Sequence, residues 1–170
     1  YLIIITGPTA IGKTHVALEL NAQLNSVIIS ADSRQVYQEM SIGTAKPSPQ
    51  EIKAGNIKLV NHISVETDYN AGVFAREAEE IIASSFEKNK HPILCGGTGL
   101  YITAVTQGLH EFPQIDPAIR LELNDRFQSE GIDVLARELA LKDPRYCEQV
   151  DIQNPRRVIR ALEVIRQTGK

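Results

Sequence analysis

Gly7-Pro8-Thr9-Ala10-Ile11-Gly12-Lys13-Thr14 is the stretch that decides the fold. It reads G-x-x-x-x-G-K-[ST] and stands in the context such a loop requires. The apolar run Leu2-Ile3-Ile4-Ile5 leads into it, and a helical pattern from His15 to Leu24 leads out. Glycines let the backbone wrap a phosphate group with several N–H donors. The helix N-terminus adds its partial positive charge. Lys13 can reach an outer phosphate and the Thr14 hydroxyl can ligate Mg²⁺. Gly7, Pro8, Thr9, Ala10, Ile11, Gly12, Lys13 and Thr14 are therefore the expected diphosphate-binding residues, with Thr14 as the metal-binding one. The bland alternative is a strand-turn-helix with a Gly-rich turn, and both correct flanks argue against it.

Working outward, Val27-Ile28-Ile29-Ser30 is a second short apolar run of the parallel-strand type. It delivers Ala31-Asp32-Ser33-Arg34-Gln35-Val36-Tyr37 at its carboxyl end. Ligands of open parallel sheets bind beyond the carboxyl ends of the strands, so Asp32 emerges on the same rim as the Gly-rich loop. From position alone, Asp32 as a functional carboxylate and Asp32 as a turn or helix cap are equally good readings. A third run, Pro92-Ile93-Leu94-Cys95, feeds Gly96-Gly97-Thr98-Gly99-Leu100-Tyr101 and then a helix. Strand, Gly-Gly-Thr, helix is a second place where backbone and hydroxyl can approach a ligand, though Thr98 as a plain N-cap fits as well. Between these runs, 42–47 reads as loop, Pro49 to Ala54 as one or two helical turns, and Lys58 to Ile63 as a weaker strand. Ala71 to Asn89 is an amphipathic helix, its stripe being Phe74, Ala78, Ile81, Ile82 and Phe86.

After Gly108 the character changes. Residues 109–115 read as a connection, followed by helical patterns over 116–130, 132–142 and 154–168 with no further strand. Asn154 stands as N-cap, Pro155 at the first helical position and Gly169 past the end. Arg156, Arg157 and Arg160 crowd the first turns of this last helix, where the dipole disfavours cations. Such a local conflict is common where a site meets an anion, although a solvated helix face is the default. The expected architecture is α/β: a P-loop-type open parallel sheet flanked by helices over 1–108, an inserted all-helical lobe over 109–153, and a basic helix over 154–170.

Bulk properties narrow the function classes. The 170 residues are 42% hydrophobic and 23% charged, ordinary for an α/β protein, and no apolar run approaches the roughly 18 residues of a membrane span. A net charge of −3 does not advertise nucleic-acid binding, but its distribution is uneven. Residues 1–110 hold 8 basic and 10 acidic side chains, 111–144 hold 4 and 8, and 145–170 hold 6 and 3. Positive charge gathers at the C-terminal end. Cys95 and Cys147 are far apart, with no Cys or His at metal-ligand spacing, which fits a reducing, cytoplasmic setting. There is no initiator Met, and the sequence stops just after a helical pattern, so a longer protein is expected. Asn-Lys-x-Asp is absent, which removes the G-protein reading. No apolar strand ends in the Asp that completes the usual Mg²⁺ site of NTPases. A P-loop without that kit suggests that the loop holds a phosphate leaving group for another reaction.

Taken in order, GPTAIGKT (7–14), SADSRQVY (30–37), MSIGTAKP (40–47), GGTGLY (96–101) and NPRRVIRALE (154–163) resemble the tRNA dimethylallyltransferase (tRNA isopentenyltransferase) family over nearly the whole sequence. That resemblance implies transfer of a dimethylallyl group from dimethylallyl diphosphate to the exocyclic amine of the adenosine 3′ of the anticodon in tRNA. It implies Mg²⁺ as cofactor and Asp32, Thr98 and Lys13 as catalytic residues. It further implies tRNA contacts at Asp32, Ser33, Arg34, Gln35, Thr98, Arg120, Gln153, Asn154, Pro155, Arg156 and Arg157. A carboxylate is far too weak a base to deprotonate a neutral aryl amine first, so proton transfer to Asp32 is expected with or after C–N bond formation. The expected partners are tRNA and dimethylallyl diphosphate, with no membrane and a monomeric state. Three other readings share some of these residues: a prenyltransferase acting on a free adenine nucleotide, a P-loop small-molecule kinase, and a non-catalytic nucleotide- or RNA-binding module.

Overall fold

In the computed structural model, which describes residues 1–109 and 115–169, four strands form one fully parallel sheet. They are β1 (Ile3–Thr6), β2 (Ile28–Ser30), β3 (Ile57–Lys58) and β4 (Ile93–Gly96), in the order β1-β4-β2-β3. Alternation along each strand sends successive side chains to opposite faces. Ile28, Ile57, Ile93 and Cys95 join one apolar cluster with Ala17, Leu18 and Leu20 of α1 (Lys13–Leu24) and Ile52 of α2 (Pro49–Ala54). Ile29 and Leu94 join the other, with Phe74 and Ala78 of α3 (Ala71–Glu87) and Tyr101 and Ala104 of α4 (Gly99–Gln107). Burial on both faces is why these runs are continuously apolar rather than alternating. The expected open parallel α/β sheet is what the chain forms.

Local signals start the helices. Ser48 and Glu51 make a reciprocal capping box at α2, with Pro49 at its first position. The Asn70 side chain accepts the Gly72 and Val73 N–H groups at the start of α3. The strand expected over 58–63 is corrected: β3 ends at Lys58, because Leu59 and Asn61 take left-handed backbone (φ 57° and 49°) that breaks the ladder. Only an isolated parallel bridge between Tyr37 and Ile63 follows.

The chain divides into two compact units, residues 1–109 and 110–170. The second consists, among the described residues, of α5 (Pro117–Glu130), α6 (Ile132–Lys142), α7 (Pro144–Gln149) and α8 (Pro155–Thr168). Leu123, Leu135, Leu139, Val158 and Leu162 are fully buried in its core, so α8 belongs with the other helices rather than standing apart as residues 154–170. The helix α7 is an addition to the expected elements: Asp143 caps it by accepting the Tyr146 N–H, and Pro144 opens it. Residues 110–114 of the expected connection lie outside the described residues.

Candidate active site

The carboxyl ends of β1, β4 and β2 bring three loops to one rim of the sheet. The Gly-rich loop turns into α1 through Gly12, whose φ of 91° an L side chain rarely adopts. No side chain caps α1, so its first-turn amides are left to a ligand or to water. Lys13 lies across the loop and donates from Nζ to the Pro8 carbonyl at 2.6 Å. A phosphate oxygen arriving there would take over that donor.

Two cavities meet at this rim. One, of about 260 Å³, is lined by Lys13, Thr14, Cys95, Gly96 and Ala45 among others. The second, of about 300 Å³, is lined by Pro8, Ser33, Arg34, Gly43 and Thr98 among others. Thr9 and Asp32 line both. Larger grooves exist, such as one of about 460 Å³ between α5 and α6 lined by Arg126, Val134 and Leu141. There the charged groups Arg126 and Glu138 are committed to each other at 2.6 Å.

Asp32 makes the local turn that its position allowed, and its carboxylate also lines both cavities. Its Oδ1 accepts the N–H groups of Arg34 at 2.9 Å and Gln35 at 3.2 Å, a local cap that fixes the carboxylate. Oδ2 has no hydrogen-bond partner among the described residues. Thr98 sits at the N-cap position of α4, yet its side chain does not cap that helix. Its Oγ1 instead accepts the Ser33 N–H at 2.9 Å and donates to Ser33 Oγ at 3.3 Å. The Thr98 N–H reaches the Ala31 carbonyl at 3.1 Å, so the turn after β4 is stitched to the turn after β2. Gly96 makes this approach possible: a Cβ there would lie 2.1 Å from the Ala31 carbonyl oxygen.

Gln35 has its amide fully committed. Nε2 donates to the carbonyls of Thr44 and Ala45, each at 3.1 Å, and Oε1 accepts from Ser30 Oγ at 3.1 Å. In this structure it clamps the 42–45 loop against the end of β2, rather than holding its amide out to a partner. That loop was legible only as loop, and its Gly43, Thr44 and Ala45 line the two cavities. Cys95 is buried as expected and also lines the first cavity; burial pushes its thiol up, with Lys13 pulling the other way. Tyr101 stacks on Phe74 at 4.2 Å, and burial, Tyr37 and Asp32 raise its pKa to about 12, so it stays neutral. Among the described residues no group of three His, Cys, Asp or Glu could hold a metal ion. Thr14 lines the first cavity, and a hydroxyl is the kind of oxygen donor that Mg²⁺ accepts beside phosphate oxygens and water.

The remaining predicted residues lie in the second unit. Arg156 and Arg157 are exposed in the first turn of α8, after Pro155 at its first position. Asn154 occupies the N-cap position but makes no side-chain cap, and the Gln153 N–H is held by Asp151 Oδ1 at 3.1 Å. Arg120 of α5 is engaged with Glu163 of α8 at 2.6 Å while 62% of its side chain stays exposed.

The family model for IPP transferase matches residues 35–170. A tRNA dimethylallyltransferase of Christiangramia forsetii is 45% identical over all of this chain, which covers 56% of that protein. The one from Cytophaga hutchinsonii shows the same identity and coverage. The chain therefore spans about half the length of the curated relatives it matches. Among solved structures, the full-length tRNA isopentenylpyrophosphate transferase of Bacillus halodurans aligns with a TM-score of 0.62 at 37% identity, covering 99% of this chain and 56% of that one. A eukaryotic dimethylallyltransferase acting on tRNA aligns with a TM-score of 0.82 at 28% identity, covering 99% and 42%.

Proposed function

The chain belongs to the IPP transferase family, and on that premise we propose that the full-length protein transfers a dimethylallyl group from dimethylallyl diphosphate to N6 of the adenosine 3′ of the anticodon in tRNA. The observation that carries this reading is the place of Asp32, a wall of both cavities. The donor's diphosphate sits in the cavity of Lys13 and Thr14, where Lys13 exchanges the Pro8 carbonyl for a phosphate oxygen and the α1 amides face the anion. The Thr14 hydroxyl would hold a Mg²⁺ ion, which would supply further charge neutralisation for the leaving group. The acceptor base leaves its stack and enters the cavity of Ser33, Arg34 and Thr98.

The chemistry follows from that placement. The N6 lone pair forms the C–N bond to the first allyl carbon as the C–O bond breaks and diphosphate departs. The nitrogen turns acidic as the bond forms, and its proton passes to Oδ2 of Asp32. Fixing the reacting groups in this way is where most of the acceleration arises. Arg34, Arg156 and Arg157 meet phosphates of the RNA.

The test is donor use. With tRNA present, the protein is expected to release diphosphate from dimethylallyl diphosphate in a tRNA-dependent manner and to leave ATP unturned. ATP turnover with no response to dimethylallyl diphosphate would overturn the reading in favour of a kinase.

A further inference from the structure

The 42–45 loop is a wall shared by both cavities. Ala45 lines the one of Lys13 and Thr14, and Gly43 and Thr44 line the one of Ser33 and Thr98. The loop holds a shape it would not keep alone. Ala45 takes left-handed backbone with φ 48°, an uncommon state for a residue with a Cβ, and such strain persists only where the surroundings impose it. The Gln35 amide grips the loop at the Thr44 and Ala45 carbonyls. Lys46, the next residue along the chain, makes the second grip.

A lysine beside a phosphate site invites a reading as a diphosphate ligand, but Lys46 is not among the described residues that line either cavity. Its Nζ donates to the Tyr37 carbonyl at 2.7 Å and to Asn61 Oδ1 at 2.8 Å, with a longer contact to the Gln38 carbonyl at 3.5 Å. An ammonium has three donors, and each finds an acceptor here. All three acceptors are neutral oxygens, and Glu39 feels the charge from farther off. Lys46 thus joins the loop to two other segments, residues 32–38, which carry Asp32, and the turn at Asn61. Those two are already laced together by backbone, from the Asn61 N–H to the Gln35 carbonyl at 3.0 Å and from the His62 N–H to the Val36 carbonyl at 2.7 Å. They make the frame, and Lys46 fastens the loop to it.

We propose that Lys46 is a positioning residue for the reaction: it seats the 42–45 loop against the segment that carries Asp32, and so sets the shape of both cavities. This rests on the proposed prenyl transfer to tRNA and adds Lys46 and Asn61 to what holds its site. A charged donor suits the task, because hydrogen bonds from an ammonium are roughly twice as strong as those between neutral groups.

Two variants of the full-length protein separate seating from charge. Lys46→Met keeps most of the side chain's length and loses the donors. Lys46→Arg keeps the charge but replaces a compact ammonium with a planar fork that does not fit the same three acceptors. A direct charge on the diphosphate predicts a higher KM for dimethylallyl diphosphate alone in K46M, with K46R near wild type. Seating predicts that KM rises for dimethylallyl diphosphate and for tRNA together, about tenfold in K46M and less in K46R. Hydrogen exchange of the 40–45 peptide should quicken in K46M at a temperature where the protein stays folded. Ser48→Ala is the control for general stability, since Ser48 caps α2 two residues away and lines neither cavity. S48A should lower the melting temperature while both KM values stay within about twofold. If K46M does not fold, Asn61→Gly decides: glycine keeps the left-handed backbone at φ 49° and removes one acceptor, so a several-fold rise in both KM values is expected. Wild-type KM values or wild-type exchange in K46M, a defect confined to the donor, an equal KM rise in S48A, or an unchanged N61G in that event overturns the positioning role. If the wild-type protein prenylates nothing, the parent reading falls and the positioning role with it. The exchange measurement still reports whether Lys46 holds the loop, so the two failures are told apart.

Discussion

Gly96→Ala probes the joint that brings Asp32 and Thr98 to the Gly-rich loop. The added Cβ would lie 2.1 Å from the Ala31 carbonyl oxygen and 2.3 Å from its carbon, where ordinary contact begins near 3.4 Å. The ends of β2 and β4 must therefore separate by about 1.3 Å, and both groups are backbone, which cannot rotate out of the way. Two hydrogen bonds span this joint, from Ala31 N–H to the Cys95 carbonyl at 2.8 Å and from Thr98 N–H to the Ala31 carbonyl at 3.1 Å. Overpacking of this kind costs about 1–3 kcal/mol in stability. The larger effect is on rate. Asp32 follows Ala31 directly, and a displacement of roughly 1 Å in a reacting group lowers turnover about 10²-fold. The assay is tRNA prenylation by the full-length variant, with thermal melting in parallel. Gly99→Ala is the control: a Cβ there meets nothing within 4 Å, and alanine suits the start of α4, so rate within about twofold and an equal or higher melting temperature are expected. A G96A variant with wild-type rate and melting temperature would refute the close-approach reasoning.

Asp32 separates its two roles by substitution. Asp32→Asn keeps an oxygen for the Arg34 and Gln35 N–H groups while losing the proton acceptor, so turnover should fall about 10²- to 10⁴-fold at nearly unchanged stability. Asp32→Ala should lose the rate and about 1 kcal/mol of stability as well; equal melting temperatures for the two variants would contradict the capping role. Stability should also fall in acid. Burial raises the Glu138 and Glu163 carboxyls, but their arginine partners outweigh it and hold both below the ordinary glutamate range. Their contribution is complete above the unfolded pKa of about 4.3 and lost as pH falls through it toward the folded values. Urea midpoints should thus be steady from about pH 8 to 5 and drop below roughly pH 4.5; midpoints flat down to about pH 3 would contradict it.

How much of this was legible depends on the range of the interactions. The Gly-rich loop, its strand and its helix were readable because the signal is contiguous and each residue has a local reason to be there. The apolar runs at 27–30 and 92–95 declared a doubly covered sheet for the same cause. Asp32 stayed ambiguous in sequence because a cap and a reactive carboxylate use the same residue at the same place; in the structure Oδ1 makes the cap, which leaves Oδ2 for the proposed role. Lys58 to Ile63 misled because nothing in its composition marks Leu59, an ordinary apolar residue, for left-handed backbone. By contrast α7 could have been found: Asp143-Pro144 is a cap followed by a first-turn proline. Two features had no local signal. Gly96 is required by the Ala31 carbonyl 65 residues away, and Glu163 is matched to Arg120 across 43 residues.

The central claim is tested most directly with the full-length protein, Mg²⁺, dimethylallyl diphosphate, unmodified tRNA and free adenine nucleotide together in one reaction. Digestion of the RNA and mass spectrometry of the nucleosides then report the acceptor. Prenylated adenosine from the position 3′ of the anticodon, with the free nucleotide unmodified, is the predicted result. Prenylated free nucleotide with intact tRNA, or no prenylated product at all, would contradict it.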